Sequence, residues 1–103
     1  TPCFTSPEQS KGNPVDNRSD IYSLGITLFF LITGELPFSG ENSVATVLQS
    51  LKNPMPDPRD YREDTPEYLC YLVKKMTEKN PDERYQEMNE ILDVLKNRKI
   101  SNN

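Results

Sequence analysis

The side chains with chemical reach gather at one end of this chain. Residues 1–12 read TPCFTSPEQSKG and residues 19–25 read SDIYSLG. They bring the hydroxyls of Thr1, Thr5 and Ser6, the Cys3 thiol and the Glu8 carboxylate close in sequence to Asp20. Far downstream, NPDERY at 80–85 carries Arg84. There is no histidine, which excludes imidazole catalysis and a histidine-ligated metal. Two cysteines, Cys3 and Cys70, form neither a disulfide framework nor a metal-ligand spacing, so no metal site is expected. Cys70 stands among apolar helical residues and is expected to be a small buried thiol. The net charge of −4 offers no basic stripe to displace counterions, which argues against a nucleic-acid partner. The first residues lack the basic start and apolar run of a signal peptide. Opening on Thr-Pro, the chain reads as the later part of something longer.

Positioning those residues falls to a few helices. At 103 residues the chain is one domain at most, or a piece of one, long enough to bury roughly 60–68% of its unfolded surface. An apolar content of 34% and 9 prolines point to concentrated apolar stretches with irregular connections. Asp20 to Thr33 reads DIYSLGITLFFLIT, apolar on nearly every side, as a core helix or a membrane span would be. It is too short to cross a hydrocarbon layer of about 30 Å, so it is expected to be the buried central helix. Asp20 would be a first-turn acid favoured by the helix dipole. Gly25 inside this helix costs about 1 kcal/mol relative to alanine, which suggests close approach of another backbone. Gly34 sits where a left-handed residue would end it.

Three more segments are one-faced. Val44, Val47, Leu48 and Leu51 follow a helical period, as do Leu69, Leu72, Val73 and Met76, and then Met88, Ile91, Leu92 and Leu95. Asn42 or Ser43 can cap the second helix. Thr65-Pro66-Glu67 supplies the third with a cap, a proline at its first position and an early acid. The fourth has no good capping residue near Gln86. NPMPDPRDYRED at 53–64 should be extended and exposed, and the polar tail from Lys96 should fray. No stretch alternates long enough for a strand. The predicted fold is all-α.

Four motifs carry a family resemblance. TPCFTSPE resembles the Thr-Pro-x-Tyr-x-Ala-Pro-Glu close of the protein kinase activation segment, and SDIYSLG resembles the Asp-x-Trp/Tyr-Ser-x-Gly start of that family's helix F. TGELPFSG is similar to the Thr-Gly-x-x-Pro-Phe that follows, and NPDERY to the Asn/Asp-Pro-x-x-Arg before the last helix. Their order and spacing cover nearly all of residues 1–103, so the chain resembles the helical C-lobe of a kinase domain (the parent domain being α+β). The wording is particularly similar to bacterial Ser/Thr kinases of the eukaryotic-like type.

The resemblance implies roles. Glu8 and Arg84 would form the bidentate ion pair that ties the substrate-facing loop to the helical base. Asp20 would accept backbone N–H groups from a catalytic loop, which these residues do not contain, leaving it a capping role. Thr1 would support catalysis near the reacting groups, while Pro2, Phe4 and Thr5 would wall the pocket for the substrate residue after the phosphorylated one. Phe4 stands for the usual Tyr, and Thr5 is more polar than the usual Leu or Met. Gly25 and Arg84, like Glu8 and Asp20, would be structural.

By the same resemblance the parent uses ATP and Mg2+ to phosphorylate Ser or Thr of a protein or peptide substrate. The Gly-rich loop, the strand lysine and the His-Arg-Asp and Asp-Phe-Gly motifs are not in this sequence. No catalytic residue is therefore expected in this chain, nor cofactor binding by it alone. With the preceding helix, the catalytic loop and the rest of the N-terminal part of the kinase domain missing, part of the surface of the helix rich in Phe29, Phe30, Leu31 and Ile32 would lack its cover, so self-association through the exposed core helix is expected. The expected location is cytoplasmic, with any membrane anchor elsewhere in the parent. A second reading is a pseudokinase-like, non-catalytic interaction module that docks partners on the helix at Ser43–Leu51.

Overall fold

The computed structural model describes residues 2–98, and every regular element among them is helical. The helices are α1 (Pro7–Ser10), α2 (Asn17–Thr33), α3 (Ser43–Lys52), α4 (Glu67–Met76) and α5 (Met88–Asn97). Single 3-10 turns at Pro2–Phe4, Pro58–Asp60 and Pro81–Glu83 punctuate the connections. Each starts on proline, whose fixed φ suits the turn and whose missing N–H would have had no partner there. The all-α expectation holds.

The longest helix starts earlier than its apolar pattern. Asp16 caps α2, its Oδ1 accepting the Arg18 N–H at 2.9 Å. Asn17, Arg18 and Ser19 add polar residues that hydrophobic periodicity cannot detect. At the far end Gly34 takes φ 75° and donates its N–H to the Phe30 carbonyl at 2.7 Å. A left-handed residue there suits glycine, as expected from sequence.

Two cores flank α2, which explains its apolar circumference. On one side Ile21 packs with Leu72 and Met76 of α4, Tyr85, and Ile91 and Val94 of α5. On the other, Tyr22 and Ile26 pack with Cys3 and Phe38, with Phe4, Leu36 and Met55 against them. A core helix left partly uncovered at Phe29, Phe30, Leu31 and Ile32 was expected, and the structure divides those four residues. Phe29 is fully buried and Ile32 partly so, but Phe30 is 42% and Leu31 72% exposed. The two cores cover two sides of α2 and leave a third, with Leu24, Phe30 and Leu31, open.

At Gly25 the helix meets α4. A Cβ added there would lie 2.7 Å from Thr77 Cγ2 and 2.8 Å from Met76 Cβ, with the Met76 carbonyl carbon at 3.5 Å. The expected close approach is therefore to the last turn of α4 and the residue that ends it.

Other helix starts follow the side chains available. Asn42 caps α3, accepting the Ala45 N–H at 2.8 Å. Thr65 does not cap α4: its hydroxyl donates to the Arg62 carbonyl at 2.6 Å, and Pro66 takes the cap position. α5 starts at Met88, with Glu90 Oε1 accepting the N–H groups of Gln86 (2.6 Å) and Glu87 (3.1 Å). A glutamate at the third helical position does from inside the helix what a capping residue does from outside.

Two further expectations change. The 53–64 connection is only partly extended: Pro58 is buried, and Tyr61 meets Phe29 edge-on at 5.7 Å between ring centroids. Tyr61 thereby covers Phe29 in the C-terminal half of α2. At the tail, Lys96 and Asn97 stay helical and Arg98 ends α5 with φ 54°; the remaining tail residues lie outside the described ones. Cys70 is half-buried, because it flanks rather than faces the core, whereas Cys3 is the fully buried thiol.

Candidate functional site

Residues 3–8 form a short segment clamped to α2 from several directions. α1 begins with a reciprocal cap. Ser6 Oγ accepts the Gln9 N–H at 3.4 Å, and Gln9 Oε1 accepts the Ser6 N–H at 2.9 Å. Pro7 at its first position and Glu8 in its first turn suit a helix start. That short helix aims Glu8 inward, where it is buried.

Arg84 meets it there. The guanidinium Nη1 donates to Glu8 Oε2 and Nη2 to Glu8 Oε1, both at 2.7 Å, across 76 residues of chain. The three other N–H groups of Arg84 also find acceptors. Nε donates to the Glu78 carbonyl at 2.7 Å, Nη1 to the Arg18 carbonyl at 2.9 Å, and Nη2 to the Lys79 carbonyl at 3.3 Å. All five donors of the fork are matched, which is what lets a charged side chain be buried. The plane of the fork lies over the Tyr22 ring, 5.1 Å from its centroid, adding a cation–π contact.

Ser19 of α2 completes the carboxylate, donating its hydroxyl to Glu8 Oε2 at 2.6 Å. Burial opposes ionisation of Glu8, yet the Arg84 and Ser19 hydrogen bonds outweigh it and hold the carboxyl at about 2. Burial pushes the neighbouring Tyr22 hydroxyl up to about 12, so it stays neutral. The Cys3 thiol is likewise raised by burial.

Gly25 contributes from a distance. By admitting Met76 and Thr77 against α2, it brings the next two residues, Glu78 and Lys79, to where their carbonyls receive Arg84. Phe4 packs beside the second core, and its carbonyl accepts the Ser23 hydroxyl at 2.6 Å. Thr5, half-buried, lies between that anchor and the Ser6–Gln9 cap.

The expected residues thus divide. Phe4, Thr5, Glu8 and Arg84 are brought to one face of α2, with Gly25 supporting from the α4 side. Asp20 is in the first turn of α2 but exposed, and no donor among the described residues reaches its carboxylate. The cap it was expected to provide comes from Asp16, because the helix starts a turn earlier. Pro2 opens the first 3-10 turn, and Thr1 lies outside the described residues.

Sequence reasoning missed Ser19, Ser23 and the acceptor carbonyls of Arg84. The serine spacing of four was readable, since it puts both hydroxyls on one face of a helix. The carbonyls left no mark, because any residue supplies one. No three Asp, Glu, His or Cys side chains come together among the described residues. No helix there is long and apolar enough to cross a membrane.

Comparison with known proteins agrees with this geometry. The sequence matches the family described as protein kinase domain over residues 1–95. A probable serine/threonine-protein kinase of Clostridium acetobutylicum is 41% identical over 100 residues, which is 97% of this chain and 15% of the relative. Serine/threonine-protein kinase PknB of Mycolicibacterium smegmatis is 47% identical over 87 residues, 84% of this chain and 14% of that kinase. Serine/threonine-protein kinase PrkC of Bacillus subtilis is 39% identical over 83 residues, 81% of this chain and 13% of that kinase. The chain therefore spans about one seventh of the curated relatives it matches. With that match along nearly its whole length, and with its loop locked to a central helix by Glu8 and Arg84, the chain belongs to the protein kinase family.

Proposed function

We propose that this chain is the peptide-positioning and supporting C-lobe part of a Ser/Thr protein kinase domain, and that the parent transfers the γ-phosphate of ATP to a Ser or Thr hydroxyl of a protein substrate. The observation that carries this reading is the buried Glu8–Arg84 pair, which holds residues 3–8 rigidly against α2. A rigid loop presents its pocket in one geometry, and positioning is most of what phosphoryl transfer asks of a protein. In this role Phe4 and Thr5, with Pro2, wall the pocket for the residue after the phosphorylated one, Thr1 supports the reacting groups, and Asp20 braces a loop supplied from outside.

The residues of this chain do not fit Mg-ATP by themselves. No histidine is available for a His-Arg-Asp loop, and no acidic cluster stands ready for magnesium among the described residues. Nucleotide and metal belong, in this reading, to the rest of the kinase domain and to a cytoplasmic setting where ATP is supplied. Isothermal titration of the isolated chain with Mg-ATP is expected to show no binding; micromolar affinity would overturn that part. Phosphate transfer from labelled ATP to a protein acceptor by the full-length protein tests the whole, and a well-folded protein without transfer would overturn it.

The uncovered side of α2, with Leu24, Phe30 and Leu31 exposed, supports contact with the rest of the domain, and self-association when that is absent. A monodisperse monomer of the isolated chain in light scattering would contradict this. One observation favours the second reading, a non-catalytic module: Val44 and Leu48 of α3 are both exposed on one side of that helix. Upstream sequence without His-Arg-Asp and Asp-Phe-Gly motifs would select it.

A further inference from the structure

We propose that Ser23 is a positioning residue: its hydroxyl sets the pocket for the substrate residue after the phosphorylated one by holding the Phe4 carbonyl. This inference rests on the reading of residues 1–8 as the peptide-gripping loop.

A serine inside a helix ordinarily turns its hydroxyl to solvent or to the carbonyl one turn back. Thr27, one turn further along α2, does the latter and donates to the Ser23 carbonyl at 3.1 Å. Ser23 instead crosses to another element and donates to the Phe4 carbonyl at 2.6 Å. Four residues earlier on the same face, Ser19 donates to Glu8 Oε2, also at 2.6 Å. Two hydroxyls of one rigid helix thus pin the loop at positions four residues apart. Between them the Ser6–Gln9 cap fixes the start of α1.

Thr5 is enclosed by these anchors. It is only half-buried, so it is held without being covered, which suits a residue that meets a ligand. The Glu8 anchor is insured by Arg84 as well as Ser19, whereas the Phe4 carbonyl has Ser23 as its side-chain donor. Loss of that hydroxyl strands a carbonyl next to the pocket and frees one end of the loop. The lock at Glu8 and the two cores stay in place. The effect should therefore fall on peptide recognition before it falls on the fold.

The test uses the full-length protein and an array of synthetic peptides with a central threonine, each amino acid in turn at the next position, and other positions degenerate. Ser23→Ala should flatten the preference at that next position and raise the peptide KM about 5–10-fold, the worth of one hydrogen bond. The KM for ATP and kcat should hardly change. Ser23→Thr keeps a hydroxyl and should restore the profile. Thr27→Ala, which removes a hydroxyl bonded only within α2, should leave it as it was. In parallel, amide hydrogen exchange at Thr5 and Ser6 should quicken in Ser23→Ala while exchange in α5 does not. A Ser23→Ala protein with the unmodified preference and exchange overturns the inference alone. If the unmodified protein phosphorylates no peptide, the kinase reading falls instead, and the exchange at Thr5 and Ser6 still decides whether Ser23 holds the loop.

Discussion

Two arginines reach carboxylates near the start of α2, with nearly equal geometry and opposite surroundings. Arg84 approaches Glu8 at 2.7 Å with side chains 0% and 8% exposed. Arg18 approaches Asp82 at 2.8 Å with side chains 24% and 81% exposed, and it also contacts Asp16, 51% exposed, at 3.2 Å. Distance does not separate the two clusters; solvent does. Around Arg18 water screens each charge and hydrates whichever is left alone. Around Arg84 the pair is almost entirely enclosed, so removal of one partner strands the other. Equal contacts can therefore differ several-fold in what they contribute, and the buried one is the natural place for a lock.

The largest effect that would break this contrast is expected at Arg84. Arg84→Met should destabilise by about 3–5 kcal/mol, read from the urea midpoint at constant slope. A loss no greater than that of an exposed pair would erase the distinction. Glu8 gives the next. Its carboxyl is held at about 2 against an ordinary 4.5, a difference of roughly 3 kcal/mol. Because the folded value is depressed, this stabilisation is complete above about pH 5 and disappears as pH falls from about 4.5 towards 2. Denaturation across that range should show the loss, and Glu8→Gln should remove most of the dependence.

Asp16→Ala should lower the melting temperature slightly through the lost cap of α2. The smallest effect belongs to Arg18→Met, a shift in the urea midpoint far below that of Arg84→Met, fading when stability is measured in about 0.5 M salt. A salt-insensitive loss at Arg18 as large as that at Arg84 would show that its exposure had misled.

Legibility in the sequence followed the same divide between local and distant causes. Gly34 announced the end of α2 because a left-handed terminus has few other occupants. Asn42 announced α3 by its side chain alone. Thr65 misled, since a threonine before Pro-Glu has the composition of a cap while its hydroxyl had a nearer carbonyl to bond at Arg62. Asp20 was legible as a first-turn acid of α2 but not as its cap, because the helix begins at Asn17 and Asp16 takes the capping position. Ser19 and Ser23 were overlooked because serine is common, and only the partner distinguishes a bridging hydroxyl from an idle one.

Residue types and their spacing determined the helical composition, the central place of the apolar helix and the loop motif that faces it, because periodicity, caps and turn residues act within a few positions of the chain. Tertiary structure alone decided which side of α2 stays open, which carbonyls complete Arg84 and which hydroxyl holds Phe4. Those outcomes depend on how separate elements dock, with carbonyl partners from 5 to 66 residues apart around Arg84 and 19 apart at Ser23, and no local pattern encodes such a meeting.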